Sequence, residues 1–257
     1  MGQSKTKVQR FLMSNPTCIF CGGCTPASTQ DHVPPRSIFI DRKWPDGYVF
    51  AACTKCNNES SDSEYLVSIM AKIGWGLIEG KEIDKSIYKS TFLELKVKKP
   101  EIFHKMQHGL SAAEKKRLAK EIGYIPPVGG LYADMPIIKF PDEIDSAIKI
   151  FGKKLAIALH YKHTNIIPPE NFGFRLKWAT NFELLKGKFL LDQETLKAFA
   201  PARNLIREKV DLFDQFNYSY AITEDSKNSA FHCNFSKSFN LLFLLSFENI
   251  ILDDEIA

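Results

Sequence analysis

Long apolar runs are missing from this chain. Its most hydrophobic stretch, Leu241 to Phe247, falls far short of the roughly 20 residues a spanning helix needs, so no membrane segment is expected. Strong charge bias is missing too. The 34 Lys plus Arg face 30 Asp plus Glu, a formal charge of +4, too little by itself to argue for a polyanionic partner. There is no internal repeat and no low-complexity tract. The start is positive, but no apolar segment of a secretory leader follows it, and a cytoplasmic protein is expected. What is present is a chain of 257 residues, 44% hydrophobic and 12% aromatic. That is enough for one large domain or two small ones, and it excludes disorder as the dominant state.

Charge is distributed unevenly. Residues 1–130 carry 19 basic and 13 acidic side chains, while residues 131–257 carry 15 and 17. A basic front half on a near-neutral back half suggests that the front meets a polyanion, although basic solvated faces are common.

Five of the six cysteines fall within 39 residues. Cys18-Ile19-Phe20-Cys21 and Cys53-Thr54-Lys55-Cys56 are two CxxC pairs. Two-residue spacing brings both thiolates of a knuckle to one tetrahedral ion, and two knuckles complete a four-thiolate zinc site. A disulfide framework fits poorly without a secretory leader, and a redox CxxC does not explain two pairs. Cys21-Gly22-Gly23-Cys24 is also a CxxC, so Cys24 is an alternative to Cys18; Cys18 is preferred because the two glycines then form the turn after the knuckle. Cys233 reads as a buried core thiol.

Between the knuckles lies Thr29-Gln30-Asp31-His32-Val33-Pro34-Pro35-Arg36, and the second knuckle runs straight into Asn57-Asn58-Glu59. On an extended segment Asp31 and His32 point to opposite sides, so one can hold a cation while the other faces a water. Asn57 offers a neutral oxygen, and such ligation suits Mg²⁺ or Mn²⁺. A turn, with Asp31 capping a backbone N–H, is the structural alternative.

CxxC, then Asp-His-Val-Pro-Pro, then CxxC-Asn resembles the zinc-stapled HNH endonucleases, the ββα-metal nucleases, over about residues 15–75. The resemblance implies a metal-dependent endonuclease, acting on DNA, with His32 as general base and Asp31 and Asn57 as ligands of a catalytic Mg²⁺ or Mn²⁺. Asn58, Glu59 and Asp62 are alternative ligands. The family's middle Asn, on the second strand, is missing; Asp46 or Tyr48 stands about where it would fall. Arg36 and Lys55 lie close by and are expected to hold flanking phosphates. Joined to a further domain, such a module also resembles restriction and anti-phage defence effectors, which implies a protein partner such as an ATPase. A zinc-dependent nucleic-acid-binding module without catalysis, and a protein-interaction scaffold, are the other classes. Met1-Gly2-Gln3-Ser4-Lys5-Thr6 fits the N-myristoylation pattern and is read as chance, with no membrane role.

The expected fold is α+β. Residues 1–80 form the zinc-stapled ββα-metal module with its four-cysteine site. A helix begins at Asp62, with Leu66, Ile69, Met70, Ile73 and Leu77 at helical spacing as the face that packs on the metal module; Gly74, Gly76 and Gly80 weaken its end. Residues 81–130 form a basic connector. It is irregular to about 110, with Lys96, Lys98 and Lys99 as a nucleic-acid-contacting arm or a solvated face, and helical from the Ser111–Glu114 capping box to Gly123. Residues 131–257 form an α+β domain of regulatory or partner-binding role, helices packed on a mainly antiparallel sheet. A helix runs from Pro141 to His163, with Ile144, Ile148, Phe151, Leu155 and Leu159 on one face. His160 and His163 in its last turn read as favourable charges at a helix C-terminus, with metal binding the alternative. Strands are expected at 172–180, 216–223, 229–235 and 239–247, with helix near 193–209.

Overall fold

The computed structural model describes residues 2–74, 85–126, 128–132, 137–188, 190–203, 205–236 and 238–248. Leu77, Gly76 and Gly80 lie outside the described residues. The chain opens with α1 (Gly2–Ser14). The first knuckle follows, then a hairpin of β1 (Thr29–His32) and β2 (Val49–Ala52), paired antiparallel with Thr29 opposite Ala52 and His32 opposite Val49. Cys53 caps α2 (Thr54–Glu59), and α3 (Ser61–Gly74) comes directly after it. The cysteine cluster, this ββα unit and a C-terminal antiparallel sheet make the fold mixed helix and sheet, as expected.

In α3, Leu66, Ile69, Met70 and Ile73 are buried. They pack chiefly along α7 (Asp142–Thr164) and against the 3-10 turn Arg36–Ile38 of the hairpin loop, so only part of this face lies on the metal module. Residues 85–108 are helical rather than irregular: α4 (Lys85–Lys98) and α5 (Pro100–His108). Pro100 ends one helix and, lacking an N–H, opens the next without loss. Each helix buries a narrow stripe, Thr91 and Leu95, then Ile102 and Met106, which is too sparse among lysines to read as periodic. Those lysines have protein neighbours. Lys98 pairs with Glu94 at 2.7 Å and Lys99 with Asp62 at 2.8 Å, while Lys96 lies over Phe103. Helix α6 (Ala112–Glu121) starts on the expected capping box of Ser111 and Glu114.

Helix α7 begins with acidic residues in its first turn and ends at Asn165, whose φ of 57° turns the chain out of the helix. All five expected face residues are buried. The face meets a five-stranded antiparallel sheet ordered β3 (Gly173–Thr180), β9 (Phe239–Ser246), β8 (Asn228–Phe235), β7 (Phe216–Ile222), β4 (Ala200–Pro201). Alternation decides which face of β8 is inside: Ser229, Phe231, Cys233 and Phe235 are buried and their neighbours are not. Gly152 lets β3 approach the helix; a Cβ there would sit 3.1 Å from Leu176.

Of the helix expected near 193–209 only the first turn or so forms. A short α8 (Asn181–Leu185) follows β3, and α9 stops after Gln193–Lys197. The chain then forms β4 and the ribbon β5 (Ile206–Arg207) and β6 (Val210–Asp211). Pro201 sits on the sheet edge, where its missing N–H is tolerated. Glu208 and Lys209 turn the ribbon with φ of 51° and 68°, a two-residue hairpin geometry that a helix cannot accommodate.

One cluster of buried side chains runs through both halves, from Ile19, Val33 and Tyr48 to Phe231 and Leu245. Tyr48 packs on Phe216, and its hydroxyl meets that of Tyr218 at 2.9 Å. The hairpin loop is thereby seated on the C-terminal sheet.

Candidate functional site

The four expected cysteines come together. The Sγ atoms of Cys18, Cys21, Cys53 and Cys56 all lie within 4.8 Å of one another, close to the roughly 3.8 Å edge of a tetrahedral zinc–thiolate site. All are free thiols. Four clustered sulfurs of this kind can hold a metal ion such as zinc. Cys24 is not among them: it is exposed, with its sulfur 3.9 Å from Glu170. Gly22 and Gly23, with φ of 62° and 80°, form the turn between Cys21 and Cys24. Local sequence explains the second knuckle, since Cys53 caps α2 and accepts from the Cys56 N–H.

Asp31 and His32 face opposite sides of β1. Asp31 is 5% exposed and forms an ion pair with Lys154 Nζ from α7. The same ammonium donates to Ser60 Oγ at 2.7 Å and to Glu64 Oε1 at 2.5 Å. Burial raises the Asp31 carboxyl above its ordinary range, and the lysine charge works against that rise. Glu64 behaves alike. The lysine ammonium meets Asp31 at its Oδ2 atom.

Asn57 lies on the Asp31 side and donates from Nδ2 to Thr29 Oγ1 at 2.8 Å. The alternative ligands lie elsewhere. Asp62 pairs with Lys99, Glu59 is exposed and meets Lys55 at 3.9 Å, and Asn58 is exposed. Asp31 and Asn57, as placed, do not fit a Mg²⁺ or Mn²⁺ ion. The carboxylate already faces a cation, and the amide is turned to a threonine.

His32 looks the other way. Its ring sits edge-on to Trp44, centroids 4.6 Å apart. The guanidinium groups of Arg36 and Arg207 each lie 4.2 Å from the Trp44 ring centroid. Burial, with Arg36 and Arg207 adding repulsion, pushes His32 down to about 4, so the ring is a neutral acceptor at physiological pH. Asp46 holds Arg207 at 2.5 Å and takes the Ile206 carbonyl on its backbone N–H. Tyr48 is a core residue, as described above. Neither stands as a brace of the missing Asn's kind: Asp46 fastens the β5–β6 ribbon, and Tyr48 the sheet. Lys55 is exposed on α2 and pairs only loosely with Glu59.

Sequence reading missed Arg207, Trp44, Glu64 and Lys154. Arg207 carries no local signal. Lys154 does, as a charge set between Phe151 and Leu155 on a buried face. His160 and His163 are not C-terminal charges, since burial pushes both down to about 4. They bond instead to Ser229 and to the Tyr218 hydroxyl, each at 3.0 Å.

Among the described residues no helix is long and apolar enough to cross a membrane. No family model, curated protein or solved structure matches the chain.

Proposed function

We propose that the protein is an endonuclease that hydrolyses nucleic-acid phosphodiesters, DNA in the first instance, on a ββα unit pinned by structural zinc. The observation that carries this reading is His32. It is a neutral imidazole on β1, half-buried beside Trp44 and flanked by Arg36 and Arg207. A phosphodiester resists attack because its charge repels nucleophiles, and two guanidinium groups offset that charge. His32 then takes the proton of the attacking water, help worth roughly 10²–10⁴-fold, as the bond from phosphorus to the leaving sugar oxygen breaks and that oxygen takes a proton from solvent. Zinc holds the two knuckles, and through Cys53 the start of α2, at fixed distance from β1. No step is routed through a divalent ion, since Asp31 and Asn57 do not present a site for one.

A second reading, nucleic-acid binding without cleavage, is favoured by the pairing of Asp31 with Lys154. Nicking of supercoiled plasmid by the zinc-loaded protein, with and without Mg²⁺ or Mn²⁺, separates the two. The expected result is nicking by the native protein that His32→Ala abolishes while its melting temperature is kept. Arg36→Ala is expected to weaken binding of labelled duplex about tenfold or more, and to lower the salt slope by about one. Binding without nicking by any form would establish the second reading.

A further inference from the structure

Lys154 is a charged side chain where charge is costly. It projects from α7 between Phe151 and Leu155, both fully buried, and is itself 6% exposed. Its ammonium faces two carboxylates from different elements, Asp31 on β1 and Glu64 on α3, together with the Ser60 hydroxyl between α2 and α3. It lies 5.3 Å from the ring of Phe20, inside the first cysteine knuckle. Two carboxylate oxygens, on buried Asp31 and half-buried Glu64, and a hydroxyl converging on one point make an oxygen donor set of the kind that holds a hard divalent cation. Asp31 Oδ2 and Glu64 Oε1 both aim into that point and meet the ammonium there.

We propose that Lys154 is the built-in cation of the Asp31–Glu64 pair, standing where a divalent metal would otherwise bind. The native protein therefore takes up no Mg²⁺ or Mn²⁺ at Asp31, and the C-terminal half, through α7, supplies the charge that fixes the strand bearing His32. Asp31 is then a positioning residue, acting through its neighbour. One ammonium offsets one of the two carboxylate charges; a divalent ion would offset both. Removing the lysine charge opens a metal site made of Asp31, Glu64 and Ser60.

The test is Mn²⁺ titration of the zinc-loaded full chain, without nucleic acid, read by the electron paramagnetic resonance of free Mn²⁺ and by melting temperature. It is independent of cleavage, so its failure and that of the nuclease reading are separable. The native protein is expected to leave the free Mn²⁺ signal and its melting temperature unchanged. Lys154→Met should bind one Mn²⁺ and be stabilised by it, and Lys154→Met with Asp31→Asn should lose both effects. One Mn²⁺ bound by the native protein and lost in Asp31→Asn or Glu64→Gln would overturn the proposal. So would a folded Lys154→Met that binds none. Should Lys154→Met fold only when Mn²⁺ is added, that rescue supports the proposal; should it not fold at all, the native titration alone decides, by the same criterion.

Discussion

At Cys21 the chain offers two ways to complete a knuckle, and the geometry separates them. Cys18 is buried, with its backbone N–H on the Thr25 carbonyl at 3.0 Å. Cys24 sits past two left-handed glycines and faces Glu170 in solvent. Cys18→Ser should therefore abolish stoichiometric zinc, measured by elemental analysis, and lower the melting temperature, because binding energy of a structural zinc is folding energy. Cys24→Ser should leave both unchanged. Zinc lost in Cys24→Ser and kept in Cys18→Ser would reverse the ligand set. At His32 the relevant property is neutrality. With the folded ring at about 4, a rate limited by this base should stay level from about pH 6 upward and fall as pH approaches about 4.

Elements that sequence reading captured are those whose information is local. The CxxC pairs each form a turn of a few residues. The Ser111 box lies within one helical turn, and the alternation of Phe231, Cys233 and Phe235 is set by the strand itself. Elements it missed depend on distant partners. Among the described residues, helices α4 and α5 bury Thr91, Leu95, Ile102 and Met106, with α4 packed on α5 and on α3. The ribbon at Ile206–Asp211 exists because Asp46 holds it. The candidate site follows the same division. Asp31, His32 and Asn57 stand out in the sequence, but the cation on Asp31 and the second arginine at His32 arrive from residues 154 and 207. Packing of α7 on the sheet gives a direct check. Phe151 is fully buried and meets Phe235 at 5.7 Å; Phe151→Ala should cost about 3–5 kcal/mol in denaturant unfolding. Gly152→Val, forced against Leu176, should also destabilise, by about 1–3 kcal/mol. A Phe151→Ala loss under about 1 kcal/mol would contradict the helix-on-sheet core.

Among the described residues the larger hydrophobic cluster runs through both halves, so the halves are expected to respond together to pH. Burial holds His32, His160 and His163 down to about 4, below the roughly 6.5 of an unfolded histidine. Between those values the unfolded chain binds more protons, and stability rises with pH. The stabilisation from keeping these rings neutral is complete above about 6.5 and is lost as pH falls toward about 4. Asp31 and Glu64, raised by burial, act in the opposite direction and blunt the change. Melting temperature should therefore fall from pH 7 to pH 5. His160→Gln should reduce the drop, because Nδ1 of that ring bonds Ser229 at the junction of helix and sheet.

Plasmid nicking by the zinc-loaded native protein beside His32→Ala tests the base at His32 most directly. Nicking is expected in the native protein and lost in the variant, with zinc content and melting temperature retained, as the proposed role of the base requires. Equal nicking by both would contradict it, because the chemistry would then lie elsewhere than the imidazole between Arg36 and Arg207.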